Sequence, residues 1–206
     1  MPLLEPFTAL TAALTNAAII PDVLPTTLEF RPSALLTITI PALGSEPVKP
    51  GAEVPLEIAT AAPQPQISIV AAPTEAEITS EGLVQSEAKY TVAMLDPDAP
   101  SAADPASRHF RHWVITGISP NQDPGAPALL TAPSANEYRP PGPREGSGLH
   151  RYTFILFREP PNFTLPPDAS ELDPTIEARR RWSPVKFAQD NGLEIVGATY
   201  YLVRSE

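Results

Sequence analysis

The sequence contains no cysteine in 206 residues, which excludes disulfides, thiolate nucleophiles and thiolate metal ligands. Long apolar runs are missing as well. No stretch approaches the roughly 20 residues that cross a bilayer, so no transmembrane segment is expected. The N-terminus lacks the basic start of a secretory signal and carries Glu5 instead; with no cysteine, this predicts a cytoplasmic setting. Basic charge is scarce: the formal net charge is −10, and residues 1–88 hold ten acidic side chains against Arg31 and Lys49 alone. A nucleic-acid partner is not expected, and anionic membrane surfaces are repelled at long range. Any anion this chain binds has to be held by local geometry. Histidine is rare, with three in the chain, and there are only 10 glycines.

Proline is abundant, at 28 residues. It removes a backbone donor and cannot sit inside a central strand or helix, so the chain must contain many extended loops. A hydrophobic content of 42% and several clean strand patterns argue against disorder, and the length predicts one domain over 1–206.

Apolar spacing of three to four residues predicts a short helix over Thr8–Ala18, stopped by Pro21. Ser33–Ile40 alternates isoleucine with threonine between Pro32 and Pro41, a strand pattern. Residues 41–65 read as loop, with room for a short strand around Val54 and Ile58, and Ile67–Val70 is a further strand candidate. Tyr90–Leu95, His112–Ile118, His150–Phe157 and Gly197–Val203 complete the strand set. The first and third of these are apolar at nearly every position, as in a sheet covered on both faces. Near the end, Ser183 as cap, Pro184 at the first helical position and Gly192 at the exit mark one helix. Pro174–Arg181 reads as a helical turn whose run Arg179, Arg180 and Arg181 forms a solvated face. The expected class is mainly β with short helices.

Asp96 directly follows a buried strand, and 15 residues without apolar periodicity separate it from the strand that begins at His112. If these strands are antiparallel neighbours, Asp96 and His112 meet at one sheet edge. His150 also starts a strand, after the Pro/Gly-rich loop 138–148. A carboxylate that fixes an imidazole tautomer, two imidazole donors and glycine-permitted backbone amides suit an oxyanion, bound more tightly as pH falls through the histidine range near 6.5. The same residues also allow a structural reading, with Asp96 capping its turn and the histidines satisfied in the core; spacing alone leaves both open. His109-x-x-His112 with His150 lacks an accompanying glutamate or cysteine, so no metal site is expected. Ser147 follows Gly146 but has Glu145 before that, which is not a nucleophile elbow; it reads as a turn residue.

Asp96-Pro-Asp-Ala-Pro-Ser101 with His112 resembles the first signature of the phosphatidylethanolamine-binding proteins, and Gly146-Ser-Gly-Leu-His-Arg-Tyr152 resembles the second. Ile20–Val23 and Leu28–Pro32 are similar to the N-terminal region of the fungal carboxypeptidase Y inhibitor branch, and Trp182–Ala188 with Gly197–Tyr201 to the family's last helix and strand. The resemblance implies a large antiparallel sheet packed on a smaller one with short peripheral helices. It implies a pocket for phosphate and phosphoryl head groups such as phosphorylethanolamine, built here from Asp96, Asp98, Pro100, His112, Gly142, Pro143 and His150. Departures are Arg144 where many members carry proline, Arg111 in place of the first of two adjacent histidines, and an end at Glu206 that omits the C-terminal helix of animal members. The implied role is non-enzymatic binding and regulation, with a serine carboxypeptidase or a kinase as protein target and no cofactor. The alternative is a small-molecule enzyme using Asp96 and His150 as acid–base groups.

Overall fold

The computed structural model of the protein describes residues 4–72, 78–79, 82–83 and 88–206. Along it run α1 (Leu4–Asn16), α2 (Ile19–Asp22), β1 (Ala34–Thr39), α3 (Leu56–Ala61), β2 (Gln66–Ala71), β3 (Ile78–Thr79) and β4 (Gly82–Leu83). Then follow β5 (Tyr90–Asp96), β6 (Phe110–Ser119), β7 (Leu129–Leu130), β8 (Gly148–Arg158), α4 (Ile176–Arg179), α5 (Pro184–Asn191) and β9 (Glu194–Ser205). Five strands form an antiparallel sheet in the order β7-β6-β5-β8-β9, while β1 pairs with β2 and β3 with β4.

The alternation of side chains along each strand sorts the core into two layers. Val92, Met94, Trp113, Phe154, Leu156 and Tyr201 point to the small sheet and meet Leu36, Ile38, Ile67 and Ile69. Ala93, Leu95, Val114, Ile155 and Phe157 point the other way, against Leu14 of α1, Ile19 of α2 and Phe187 of α5. All seven residues of β5 are buried, the continuous run expected of a strand covered on both sides. The architecture is thus mainly β, a large antiparallel sheet packed on a smaller one with short helices outside, as the sequence predicted.

The packing is close where β1 crosses β9. A Cβ on Gly197 would lie 2.6 Å from the Ala34 carbonyl oxygen, so only glycine permits that approach. One local expectation fails. Leu56–Ala61, read as room for a strand, is a helical turn because Leu-Glu-Ile-Ala-Thr-Ala is rich in good helix formers and follows extended Pro55. Val54 keeps its extended role and donates to the Leu202 carbonyl of β9 at 2.8 Å. Among the described residues no helix is long and apolar enough to cross a membrane.

Two substitutions test this layering. Phe154→Ala should cost about 3–5 kcal/mol by opening the layer between the sheets, and Gly197→Ala about 1–3 kcal/mol by pushing β1 off β9. Chemical denaturation reads both, and an unchanged midpoint in either variant would contradict the packing.

Candidate functional site

The site grows from the end of β5. Asp96 follows Val92 and Met94 on the face toward the small sheet, but it lies past that sheet and is still only 3% exposed. A buried carboxylate needs its lone pairs filled. Oδ1 accepts the Asp98 amide at 2.8 Å, closing the turn, and Oδ2 accepts the Nδ1 hydrogen of His150 at 2.7 Å. The other ring nitrogen of His150, Nε2, lies 2.9 Å from Ser147 Oγ. Both nitrogens of His150 are therefore engaged by the protein.

His112 reaches the site through a break in strand register. Met94 opposes Trp113 and Leu95 opposes Arg111, so His112 is an extra residue with no partner across the ladder. Such a bulge re-aims side chains. It turns His112 to the same side as Phe110, whose ring it meets edge-on at 5.0 Å, and as Tyr152 at 5.2 Å. Arg111 is sent to the opposite face, where it is fully buried, hydrogen-bonds Asn136 Oδ1 and the Ser170 carbonyl, and lies 3.6 Å from Glu171.

A bulge also leaves backbone carbonyls without ladder partners. Arg179 braces this stretch: its guanidinium donates to the carbonyls of Arg111 at 3.3 Å, His112 at 3.0 Å (which also accepts the Arg139 amide at 2.9 Å) and Glu137 at 3.0 Å. This corrects the reading of the arginine run as a solvated face. Arg179 is 6% exposed and clamps the bulge, while Arg180 and Arg181 remain exposed.

Asp96, His150 and His112 meet at a cavity of about 520 Å³ at the sheet edge. Of the sequence-predicted set, Asp96, Pro100, His112, Gly142, Pro143 and His150 line it together. Asp98 does not. Its carboxylate turns away to take a two-pronged bond from Arg151, Nε at 2.9 Å and one terminal nitrogen at 2.7 Å, within an ion cluster that includes Asp22. Arg144 lines the cavity as an added cation. His109 is held elsewhere, against the carbonyls of Trp182 and Asp22.

Sequence reading missed Phe110, Arg139, Tyr152, Ile176 and Arg180, which also line the cavity. Tyr152 could have been found, since it sits two residues beyond His150 on one strand and so shares its face. Ile176 and Arg180 arrive from a distant segment and leave no local signal. The Gly142 backbone meets the Tyr152 phenol, and burial pushes that phenol up, so it keeps its proton throughout the physiological range.

Burial pushes the His112 imidazole down to about 4, against a smaller upward pull from Asp96. The expectation that both imidazoles donate to an anion and gain charge near pH 6.5 therefore fails for His112. Its Nδ1 donates instead to the Arg139 carbonyl at 2.8 Å, and the ring is neutral at pH 7.

A mainly β scaffold with a proline-walled polar cavity at one edge of its large sheet is the class of protein these features define. The sequence model of the family described as phosphatidylethanolamine-binding protein matches residues 44–201, so the chain belongs to that family. The carboxypeptidase Y inhibitor of Saccharomyces cerevisiae is 28% identical over 197 residues, covering 86% of this chain and 87% of the relative. A solved structure of carboxypeptidase Y inhibitor complexed with its cognate proteinase superposes with a TM-score of 0.72 at 24% identity, over 97% of this chain and 96% of that one. A phosphatidylethanolamine-binding protein from Plasmodium vivax gives 0.69 at 22% identity, over 95% of this chain and 97% of that one.

The neutral state of His112 makes stability depend on pH. An unfolded histidine titrates near 6.5 and this folded one near 4, so between those values the unfolded chain holds more protons and stability rises with pH. Lowering pH from 7 to 5 should remove roughly 2 kcal/mol through this residue. Burial lowers His109 in the same sense, so His112→Gln is the control: urea titrations should show a flatter pH dependence in that variant. Parallel pH profiles for both proteins would contradict a neutral His112.

Proposed function

We propose that the cavity holds the phosphoryl group of a small ligand or lipid head group, and that the protein acts by binding and inhibiting a serine carboxypeptidase, not by catalysis. One observation carries the ligand reading: a single carboxylate, already bonded twice, faces Arg139, Arg144 and Arg180, the last also paired with Glu177 at 3.1 Å, in a cavity of a chain whose net charge is −10. Local cations against an adverse global field are what a specific anion site requires. The protease reading is supported by the similarity to carboxypeptidase Y inhibitor over most of both chains.

The order Asp96–His150–Ser147 brings carboxylate, imidazole and hydroxyl into one hydrogen-bonded chain, the observation that favours an enzyme. Ser147 Oγ gives its single hydrogen to the Arg144 carbonyl and so has none to pass to His150 as a nucleophile would, and it does not line the cavity. Binding is the better supported role.

Two assays test the proposal. Arg144→Ala and Arg180→Ala should each weaken phosphorylethanolamine binding about three- to tenfold in calorimetry while leaving the melting temperature unchanged, because both side chains are exposed. Peptide hydrolysis by a purified serine carboxypeptidase should fall in proportion to added protein. Unaltered hydrolysis at saturating protein would contradict the inhibitor role, and unaltered affinity in both variants would contradict the arginine-walled site.

A further inference from the structure

His112 spends Nδ1 on the Arg139 carbonyl, and a carbonyl can only accept, so Nδ1 carries the ring proton. Among the described residues Nε2 has no hydrogen-bond partner. It is not sealed in either, because among the described residues the enclosed side-chain nitrogens without a partner belong to Arg111 and Arg158. The ring is only 5% exposed and lines the cavity, which leaves Nε2 as a lone pair opening onto it.

The groups around the ring keep that lone pair bare. Phe110 and Tyr152 stand edge-on, Asp96 at the end of the adjacent β5 and His150 on β8 share the cavity with it, and Arg139 and Arg179 approach from a loop and from α4. Asp96 alone among the charged groups favours protonation; Arg179 and Arg139 oppose it, and burial outweighs them all. His150 offers no substitute donor, since both its nitrogens are taken.

The cavity thus makes two demands. The guanidiniums of Arg139 and Arg144 at the wall, beside Arg180 in its pair with Glu177, call for an anion, and an unprotonated imidazole at the floor calls for a hydrogen-bond donor. Carboxylates, sulfate esters and phosphodiesters at neutral pH carry no acidic proton on the anionic group itself. Alcohols have the proton but not the charge. A phosphomonoester has both in its monoanion, since its second proton leaves only near pH 6.

We infer that the cavity selects the singly protonated form of a phosphomonoester, whose P–OH donates to Nε2 of His112 while its ionised oxygens face Arg139, Arg144 and Arg180. This rests on the ligand reading proposed above and names the chemical form bound. The pH dependence then belongs to the ligand and not to the protein. Soluble phosphomonoesters and phosphomonoester lipids share this chemistry.

The test is calorimetric titration with phenyl phosphate, phenyl sulfate and methyl phenyl phosphate from pH 6 to pH 8. The affinity for phenyl phosphate should fall about tenfold between pH 7 and pH 8 as its monoanion disappears. The sulfate and the diester should bind at least about tenfold more weakly than phenyl phosphate at pH 6, with no pH dependence. All three binding alike, or phenyl phosphate binding equally at pH 7 and pH 8, overturns the inference and leaves the ligand reading standing. None binding at pH 6 overturns both. Nitrogen-15 NMR of the unsubstituted protein adds a readout free of mutational damage: Nε2 of His112 should resonate as an unprotonated nitrogen at pH 6 and shift on adding phenyl phosphate. An N–H at both ring positions in the free protein overturns the inference. Co-sedimentation with vesicles containing phosphatidic acid, but not with vesicles of phosphatidylethanolamine, assigns the lipid source; binding of phenyl phosphate alone assigns the soluble one.

Discussion

A carboxylate withdrawn from water at the end of a strand has to find a hydrogen bond for each oxygen, and Asp96 finds them in two different loops. The Asp98 amide closes the turn that leaves β5, and His150 brings in the start of β8. Through His150 the bond passes to Ser147, and from there to the Arg144 carbonyl, so the loop before β8 is pinned to the same acid. Removing the Asp96 carboxylate would leave a buried amide and imidazole unpaired, an asymmetry that makes such groups costly to lose. His150 is held as firmly, being 1% exposed, so it belongs to the frame of the site as much as to its wall.

A second device works beside the first. The bulge at His112 swings an imidazole to the cavity and drives Arg111 into the opposite layer, and the buried Arg179 braces the carbonyls of both residues. The next residue, Arg180, lines the cavity, so the segment that repairs the strand also supplies part of the wall. Burial keeps His112 neutral while exposed arginines carry the charge at the mouth. The result is a cavity with a neutral acceptor at depth and cations outside, set in an acidic molecule.

Much of this was legible in the sequence because it rests on local rules. The two-sided apolar runs of β5 and β8 announced a covered sheet. The helix α5 carries its stop and start signals openly: Ser183 Oγ accepts the Lys186 amide at 3.1 Å and Gly192 adopts φ of 64°. Asp96, His112 and His150 were legible as strand ends facing long loops. What was not legible depends on pairing. Nothing in Arg-His-Trp says that His112 is an extra residue, since a bulge is a property of two strands. Arg179 looks like its neighbours in a basic run, and only the distant carbonyls of Arg111, His112 and Glu137 make it a buried clamp. Asp98 belongs to the same motif as Asp96, yet Arg151 claims its carboxylate from the other side.

The central claim is that the cavity walled by Asp96, His112 and His150 is where a phosphoryl anion binds. Amide chemical-shift mapping during a titration with inorganic phosphate at pH 6 tests it most directly. The account predicts perturbations at Phe110, His112, Arg139, Gly142, Arg144 and Tyr152, which surround the cavity, and none on the small sheet at Leu36 and Ile69. Perturbations centred on the Arg151–Asp98–Asp22 cluster, or none at saturating phosphate, would contradict it.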